Sequence, residues 1–522
     1  MSLPQHLTGL LREQAYSHPC DAIELVETHI SWVLLTGTFA YKVKKPVAFS
    51  FVDFSTLARR RHFCDEEVRC NRRFAPSLYL GVVPITLHGD GRVQVGKPGA
   101  AAAGEVLDWA VCMRQFPAER QLDRLLERDA VDGPMLARFG RRLAGQHAEL
   151  PVREFAGAEL TARILGPALE NFDDIDALAW TEAHREVLAR ARQGTEVQAR
   201  RHRELFVRRL ETGRIRECHG DLHLSNLVLL DDGVAAFDCL EFNPDLRWID
   251  PQSDVAFLFM DCLVRQRADL AYAFLGGYLD ACGDYDGVPL LPFYAAYRSM
   301  VRAKVAALRR EQAGEKQAQA LEQRFARHAA WAADWLDRPP GCLVLTCGLS
   351  GSGKSYLAER LAPRLPAIRL RSDVARKARA GLRPDQSARA AVGEGLYQTG
   401  HTEAVYDWLA QTAADLLKSG EHVIVDATFL DEERRARYLE MADAQGARGS
   451  ILYCDAPVAT LRERVGARLQ AGGDPSDADL TVLARQLENF RPPQTRTVRV
   501  DTRTPLDTAA LDALADRLRG AA

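Results

Sequence analysis

The chain has no apolar run long enough to cross a bilayer. Its longest, such as "VAFLFM" at Val255 to Met260, fall far short of the ~20 residues a spanning helix needs. The opening stretch "MSLPQHLTGLLREQ" lacks the basic region and apolar core of a secretion signal, so a cytoplasmic protein with no membrane partner is expected. Paired cysteines are missing too. The eleven cysteines are scattered singly, with no Cys-x-x-Cys and no histidine at zinc-finger spacing, which argues against a disulfide framework or structural zinc and for buried free thiols. Neither sign of charge is in excess: 68 Lys+Arg stand against 71 Asp+Glu, a net −3. An obligate nucleic-acid binder carries a basic surplus, so a polynucleotide partner gets no support from charge. No repeat and no low-complexity tract is visible beyond the Ala-rich "GAAAAGE" at Gly99 to Glu105, read as a loop. With 47% hydrophobic and 27% charged residues the composition is that of a folded protein, and 522 residues exceed one core. Two or three domains are expected.

Punctuation places the main boundary. From Leu291 to about Asp337 the pattern is helical with almost no breakers; Pro339-Pro340-Gly341 then stops it and the strand-like "CLVLTC" begins. The predicted domains are residues 1–338 and 339–522. Within the first, residues 1–115 are strand-rich ("HISWVLL", "FAYKVKK", "LYLGVVPITL", "RVQV", "VLDWAVCMRQF") with a charged helix at Thr56 to Phe74. Residues 116–338 are mostly helical. A small β lobe before a larger helical lobe is the order of a protein-kinase-like α+β fold. The last part alternates "CLVLTC", "AIRLRS", "HVIVDATF", "SILYCDAP" and "TVRVDT" with helical segments, which predicts an α/β domain on a five-stranded parallel sheet.

"GLSGSGKS" fits G-x-x-x-x-G-K-S and lies between an apolar strand and a helix, the context that phosphate-loop motif requires. Gly348, Ser350, Gly351, Ser352 and Gly353 would let backbone N–H groups wrap nucleotide phosphates. Lys354 would supply charge to them, and Ser355 would ligate Mg²⁺. Asp426, ending "HVIV", suits a second metal carboxylate. Asp373 and Arg376 in "RSDVAR" follow another strand: a carboxylate there can take the proton of an attacking hydroxyl while the arginine holds an anionic part of the acceptor. In "LRERVGARLQAGGDPSDADL", Arg464 and Arg468 share a helix face beside Arg462 and suit a closing lid. Together these stretches resemble the small P-loop kinases of hydroxyl groups, including gluconate kinase, zeta-toxin-type kinases and the kinase domain of polynucleotide kinase. The Asp373/Arg376 pair is most similar to the last, in which the aspartate activates a hydroxyl and the arginine contacts substrate phosphate.

"HGDLHLSN" at His219 to Asn226 sits between strand-like runs, and Asp238 in "AAFDCLEF" follows after a "DDG" turn. Read as a catalytic loop, Asp221 orients or deprotonates the acceptor hydroxyl, Asn226 ligates Mg²⁺ and Asp238 holds metal bridging the nucleotide phosphates, while His219 and His223 brace the loop. The similar "HGDG" at His88 lacks the trailing Asn and reads as a hairpin turn. Upstream, Lys42 is the candidate phosphate lysine, with Lys44 on the same strand face as a competitor. Glu67 is its candidate partner, with Glu66 as alternative, and Met113 in "VCMRQF" stands where a hinge strand would hold the nucleotide base. These residues resemble the aminoglycoside phosphotransferase and choline-kinase superfamily. The whole chain is similar to bacterial proteins that join such a bilobal domain to a P-loop ATPase domain of the AAA_33 type. The resemblance implies ATP- or GTP-dependent, Mg²⁺-assisted transfer of phosphate to a hydroxyl of a small-molecule or nucleotide-like acceptor, a polynucleotide 5′-hydroxyl included, by both domains. It also implies anchoring roles for Asp250 and Asp254. One departure stands out: no G-x-G-x-x-G loop precedes Lys42, only "LTGTF". The alternative from another class is a nucleotide-sensing regulator whose first domain binds without catalysing.

Overall fold

Alternation along the strand Phe39–Lys44 sets up the first half of the protein. In the computed structural model, which describes residues 3–20, 22–49, 52–178, 180–382, 386, 399–471 and 478–520, this strand lies inside a six-stranded antiparallel sheet. The order is Glu24–Glu27, Ser31–Leu35, Phe39–Lys44, Glu105–Arg114, Tyr79–Leu87, Val93–Val95. Tyr41 and Val43 pack on one face with Trp32, Leu34, Ile85 and Cys112, sealed by Leu7 and Leu10 of the 3₁₀ segment Gln5–Leu11. With a side-chain period of two, Lys42 and Lys44 face the other side. There Val111 and Tyr79 pack with Cys64 and Val68 of the helix Leu57–Asn71 and with Val228 and Ala235 of the hairpin Leu227–Leu230/Gly233–Ala236. The "HGDG" stretch is a turn: the His88 carbonyl accepts the Gly91 N–H at 2.9 Å between two paired strands.

The chain forms two compact units. The first comprises Met1–Val131, Leu150–Arg153 and Gly213–Asp254; the second comprises Asp132–Glu149, Glu154–Thr212 and Val255–Ala522. The Pro339-Pro340-Gly341 punctuation lies inside the second unit, between the helix Glu315–Leu336 and the strand Cys342–Cys347. The long helical stretch before it is not continuous. Leu291–Arg310 and Glu315–Leu336 are separate helices packed on each other, joined by a short turn that ends at Gly314, the extended N-cap of the second.

The second unit carries the predicted five-stranded parallel sheet, ordered Ala367–Arg371, His422–Asp426, Cys342–Cys347, Arg448–Asp455, Thr497–Asp501. Every residue of the central strand Cys342–Cys347 is buried, as a parallel strand covered on both faces should be. Val344, Ile424 and Leu452 pack on Leu357 and Leu361 of the helix Lys354–Leu361 and on Leu511 and Leu514 of Thr508–Gly520. The eleven cysteines are free, and all but Cys282 are buried. No described helix is long and apolar enough to cross a membrane.

Candidate active sites

The helix Leu57–Asn71, capped by Thr56, which accepts the Arg59 N–H at 3.3 Å, carries Glu67 to the lysine face of the antiparallel sheet. One Glu67 oxygen lies 2.9 Å from Lys42 Nζ and the other 2.8 Å from Lys44 Nζ. Glu66 turns instead to Arg69 and Arg247. Lys42 also donates to Asp238 Oδ1 at 2.6 Å, and the fully buried Lys44 donates to Glu241. Burial opposes the Lys42 charge, but Asp238, Glu67 and Glu241 outweigh it and raise its pKa well above the ordinary value. Burial likewise opposes ionisation of Glu67, and the two lysines hold its pKa down at about 2.

"HGDLHLSN" is shaped from behind by Asp254, whose two oxygens accept the N–H groups of His219 and Gly220, each at 2.8 Å. Gly220 has φ +84°, and a Cβ there would sit 2.8 Å from the Leu246 carbonyl oxygen, so only glycine fits. His219 is buried. Its Nε2 donates to the Phe237 carbonyl at 3.0 Å and its Nδ1 accepts the Asp221 N–H at 3.3 Å; burial lowers its pKa and keeps it neutral. Asp250 accepts the Gln252 N–H at 2.9 Å, at the start of the helix Pro251–Val264. Asn226 Nδ2 donates to the Asp221 carbonyl at 2.9 Å and to its Oδ2 at 3.0 Å, with His223 Nε2 at 3.4 Å from the same Oδ2. The hairpin pairing Leu227 with Ala236 explains the spacing to Asp238: the Phe237 N–H donates to the Asn226 carbonyl at 3.0 Å, so Asp238 follows one residue past the position bonded to Asn226. Asp238 is held at φ +62°, unusual for a residue with a Cβ, by an N–H bond to Tyr79 Oη at 3.0 Å. Met113 lies in the strand Glu105–Arg114, opposite Ala40, and packs, as Phe116 and Phe237 also do, against the cluster around Tyr79 and Val111. The "LTGTF" turn is tied down by Thr36 Oγ1 donating to the Phe39 carbonyl at 2.7 Å and by the Gly37 N–H donating to Gln115 Oε1 at 2.8 Å.

In the second unit the loop Gly348–Ser355 leaves the central strand of the parallel sheet. Gly351, at φ +82°, lies so close to the Leu461 carbonyl oxygen that a Cβ would stand 2.6 Å from it. Lys354 folds over its own loop and donates to the Leu349 carbonyl at 2.8 Å. Burial pushes its pKa down, and Cys454 and Asp426 do not make good the loss. Ser355 Oγ donates to Asp426 Oδ1 at 3.0 Å. Asp426 Oδ2 and Ser352 Oγ are buried without a hydrogen-bond partner among the described residues. Two protein groups close on the cradle: the Ser350 N–H donates to Gln486 Oε1 at 2.8 Å, and Thr502 Oγ1 donates to the Ser352 carbonyl at 2.8 Å.

Arg371 pairs with Asp426 across neighbouring strands, so Asp373, two residues on, opens the helix Ser372–Arg379 near the same sheet end. Its Oδ1 lies 2.7 Å from Arg376 Nη1. The arginines of the helix Val458–Ala471 are anchored on backbone: Arg464 donates to the carbonyls of Thr502 at 2.7 Å and Arg503 at 3.1 Å, beside Gly353, and Arg468 to that of Ala478 at 2.6 Å. Residues 472–477 of the expected Gly/Asp/Pro/Ser-rich segment lie outside the described residues. Sequence reasoning missed the Lys44–Glu241 pair, although Glu241 stands in the quoted "FDCLEF". It also missed Gln486, Thr502 and the buried arginines Arg369 and Arg371, for which no motif gives a signal.

One chain thus holds two separate constellations: a Lys/Glu/Asp cluster on an N-terminal six-stranded antiparallel sheet, and a phosphate-loop motif on a C-terminal five-stranded parallel sheet. Residues 343–493 match the AAA_33 family, described as an AAA domain. Among solved structures, a gluconokinase from Sinorhizobium meliloti 1021 aligns at 23% identity over 35% of this chain and 96% of its own, TM-score 0.26. A choline/ethanolamine kinase family protein from Mesorhizobium loti aligns at 11% identity over 61% of this chain and 94% of its own, TM-score 0.35. Uncharacterized protein Rv2004c of Mycobacterium tuberculosis strain H37Rv is 31% identical over 473 residues, 89% of this chain and 91% of its own. Uncharacterized protein Mb2027c of Mycobacterium bovis matches equally. The chain belongs to the family of these mycobacterial proteins.

Proposed function

We propose that the chain is a bifunctional phosphotransferase, residues 1–338 and 339–522 each moving the γ-phosphate of ATP or GTP to a hydroxyl of a small-molecule or nucleotide-like acceptor. The observation that carries this is that one chain holds two constellations of the same chemical kind. Each has a largely enclosed lysine, at least one carboxylate suited to metal and a further aspartate suited to a hydroxyl: Lys42 paired with Glu67 and Asp238, with Asp221 beside Asn226, and Lys354 in the phosphate loop, Asp426 bonded to Ser355, with Asp373 on the neighbouring strand's helix.

The donor sets fit Mg²⁺. Asp238, one residue past the Asn226–Phe237 backbone bond, has a carboxylate nearly half exposed, and Asp426 has a buried oxygen without a hydrogen bond on the carboxylate that accepts from the Ser355 hydroxyl. Bound Mg²⁺ would neutralise charge on the β- and γ-phosphates. In each site the lysine binds phosphate oxygens. Asp221 or Asp373 takes the hydroxyl proton as the acceptor oxygen bonds to the γ-phosphorus, and the bond from that phosphorus to the β,γ-bridging oxygen breaks, with the nucleoside diphosphate leaving. Arg376 holds an anionic group of the acceptor, Arg464 sits beside the phosphate loop, and Arg468 steadies the same helix. Met113 contacts the base in the first site.

One observation favours the alternative for the first domain, a noncatalytic nucleotide sensor. The turn before Lys42 has no glycine-rich cover, and Lys42 is already matched by two carboxylates. Asp221→Ala separates the readings: if that variant keeps all turnover while nucleotide still binds the first domain, the first domain is a sensor.

A further inference from the structure

Asp426 has company at the end of its strand. Its Oδ2, the oxygen without a hydrogen bond, lies 3.9 Å from Arg369 Nη1 and 3.8 Å from Arg371 Nε, both on the neighbouring strand. All three side chains are largely buried, and Arg369 also donates to the Ser355 carbonyl at 2.9 Å, under the phosphate loop. Two buried guanidinium groups facing one buried carboxylate would close on it and cancel the charge that a cation needs. A second carboxylate prevents this. Asp280, on the helix Ala268–Cys282 upstream of the phosphate-loop sheet, binds Arg369 Nη2 through its Oδ2, and the same oxygen lies 3.8 Å from Arg371 Nη1. Two aspartates and two arginines then balance, with Arg369 drawn toward Asp280 and Arg371 shared equally, 3.8 Å from each carboxylate. The strand is fastened to the same upstream segment once more by the Arg371 N–H, which donates to Tyr285 Oη at 3.2 Å, and the helix Thr399–Lys418 by Trp408 Nε1, which donates to Asp286 Oδ1 at 2.9 Å.

We propose that Asp280 is a positioning residue of the phosphate-loop site. By binding Arg369 and sharing Arg371 it leaves Asp426 Oδ2 open to a divalent cation, so a helix upstream of the P-loop domain sets that domain's magnesium requirement. The inference rests on the reading of Asp426 as a metal carboxylate and goes beyond it by assigning a residue that contacts neither metal nor nucleotide.

The test is binding of a fluorescent ATP analogue to the full-length protein, titrated with Mg²⁺, scoring the signal that Lys354→Ala removes. Asp280→Asn should raise the half-saturating Mg²⁺ concentration about tenfold, the scale of losses when a group behind a metal ligand is removed. Arg371→Gln alone should lower it, and Asp280→Asn with Arg371→Gln should return it toward wild type. Glu421→Gln breaks another buried contact of the same helix, the 2.6 Å bond from Tyr272 Oη, and should leave the requirement unchanged. An unchanged requirement in Asp280→Asn, an equal shift in Glu421→Gln, or no decrease in Arg371→Gln overturns the proposal. Arg371→Gln decides alone if Asp280→Asn does not fold. Wild-type binding indifferent to Mg²⁺, or a signal untouched by Lys354→Ala, instead overturns the phosphate-loop reading and this inference with it.

Discussion

The two candidate phosphate lysines are set in opposite electrostatic surroundings. Lys42 meets two carboxylates, at 2.9 and 2.6 Å, and is held firmly charged. Lys354 meets a backbone carbonyl and is buried with too little countercharge, so its pKa falls. A nucleotide reaching the first site must draw Asp238 away from the lysine it already satisfies. A nucleotide reaching the second supplies the missing negative charge. On the proposed reading the phosphate loop suits an incoming anion, whereas the first site is arranged around internal ion pairs and would depend more on metal to free Asp238.

The largest effect separating them is at Lys354. Lys354→Ala should cut nucleotide-dependent transfer by the second domain about 10³-fold, the scale of losing a donor to developing charge, and should erase nucleotide binding there by calorimetry; retention of both breaks the contrast. Asp373→Asn should lower kcat of that domain by about 10²-fold or more with nucleotide affinity unchanged, the range of a lost general base; a change confined to KM would make Asp373 a binding residue. In the first domain the ion pairs should matter for the fold. Glu67→Gln leaves Lys42 and Lys44 without their shared carboxylate and should cost about 3 kcal/mol in denaturant unfolding, and wild-type stability would refute the buried-pair description.

The gentlest test is pH. Burial raises the pKa of Glu67, but Lys42 and Lys44 bring it from 4.5 down to about 2; burial raises that of Glu217, but Arg69, Arg73 and Arg247 bring it down to about 2 as well. A carboxyl lowered in the folded state stabilises fully above its unfolded pKa and loses that contribution as pH falls toward the folded one. The urea midpoint should thus hold above pH 4.5 and fall toward pH 2. A flat midpoint would mean these ion pairs contribute nothing.

Much of this was legible in the sequence because the signals were local. The five parallel strands, the phosphate loop and the hairpin turn at His88 each lie within a few consecutive residues whose periodicity or turn chemistry decides them. The choice of Glu67 over Glu66 needed the helix phase, which places neighbours about 100° apart and only the structure reveals. The choice between Lys42 and Lys44 dissolves, since both reach Glu67 and only the burial of Lys44 beside Glu241 separates them. Asp280 and Gln486 were invisible for a different reason. Each acts on a site 89 or 136 residues away along the chain through a contact with no motif attached.

The claim that two sites act separately in one chain is met most directly by labelling a metabolite extract with γ-labelled ATP, using wild type, Asp221→Ala and Lys354→Ala. The expected result is two sets of labelled products, one lost in each variant. If Asp221→Ala leaves every labelled product intact, the first site does not transfer phosphate and the account of a bifunctional enzyme is wrong.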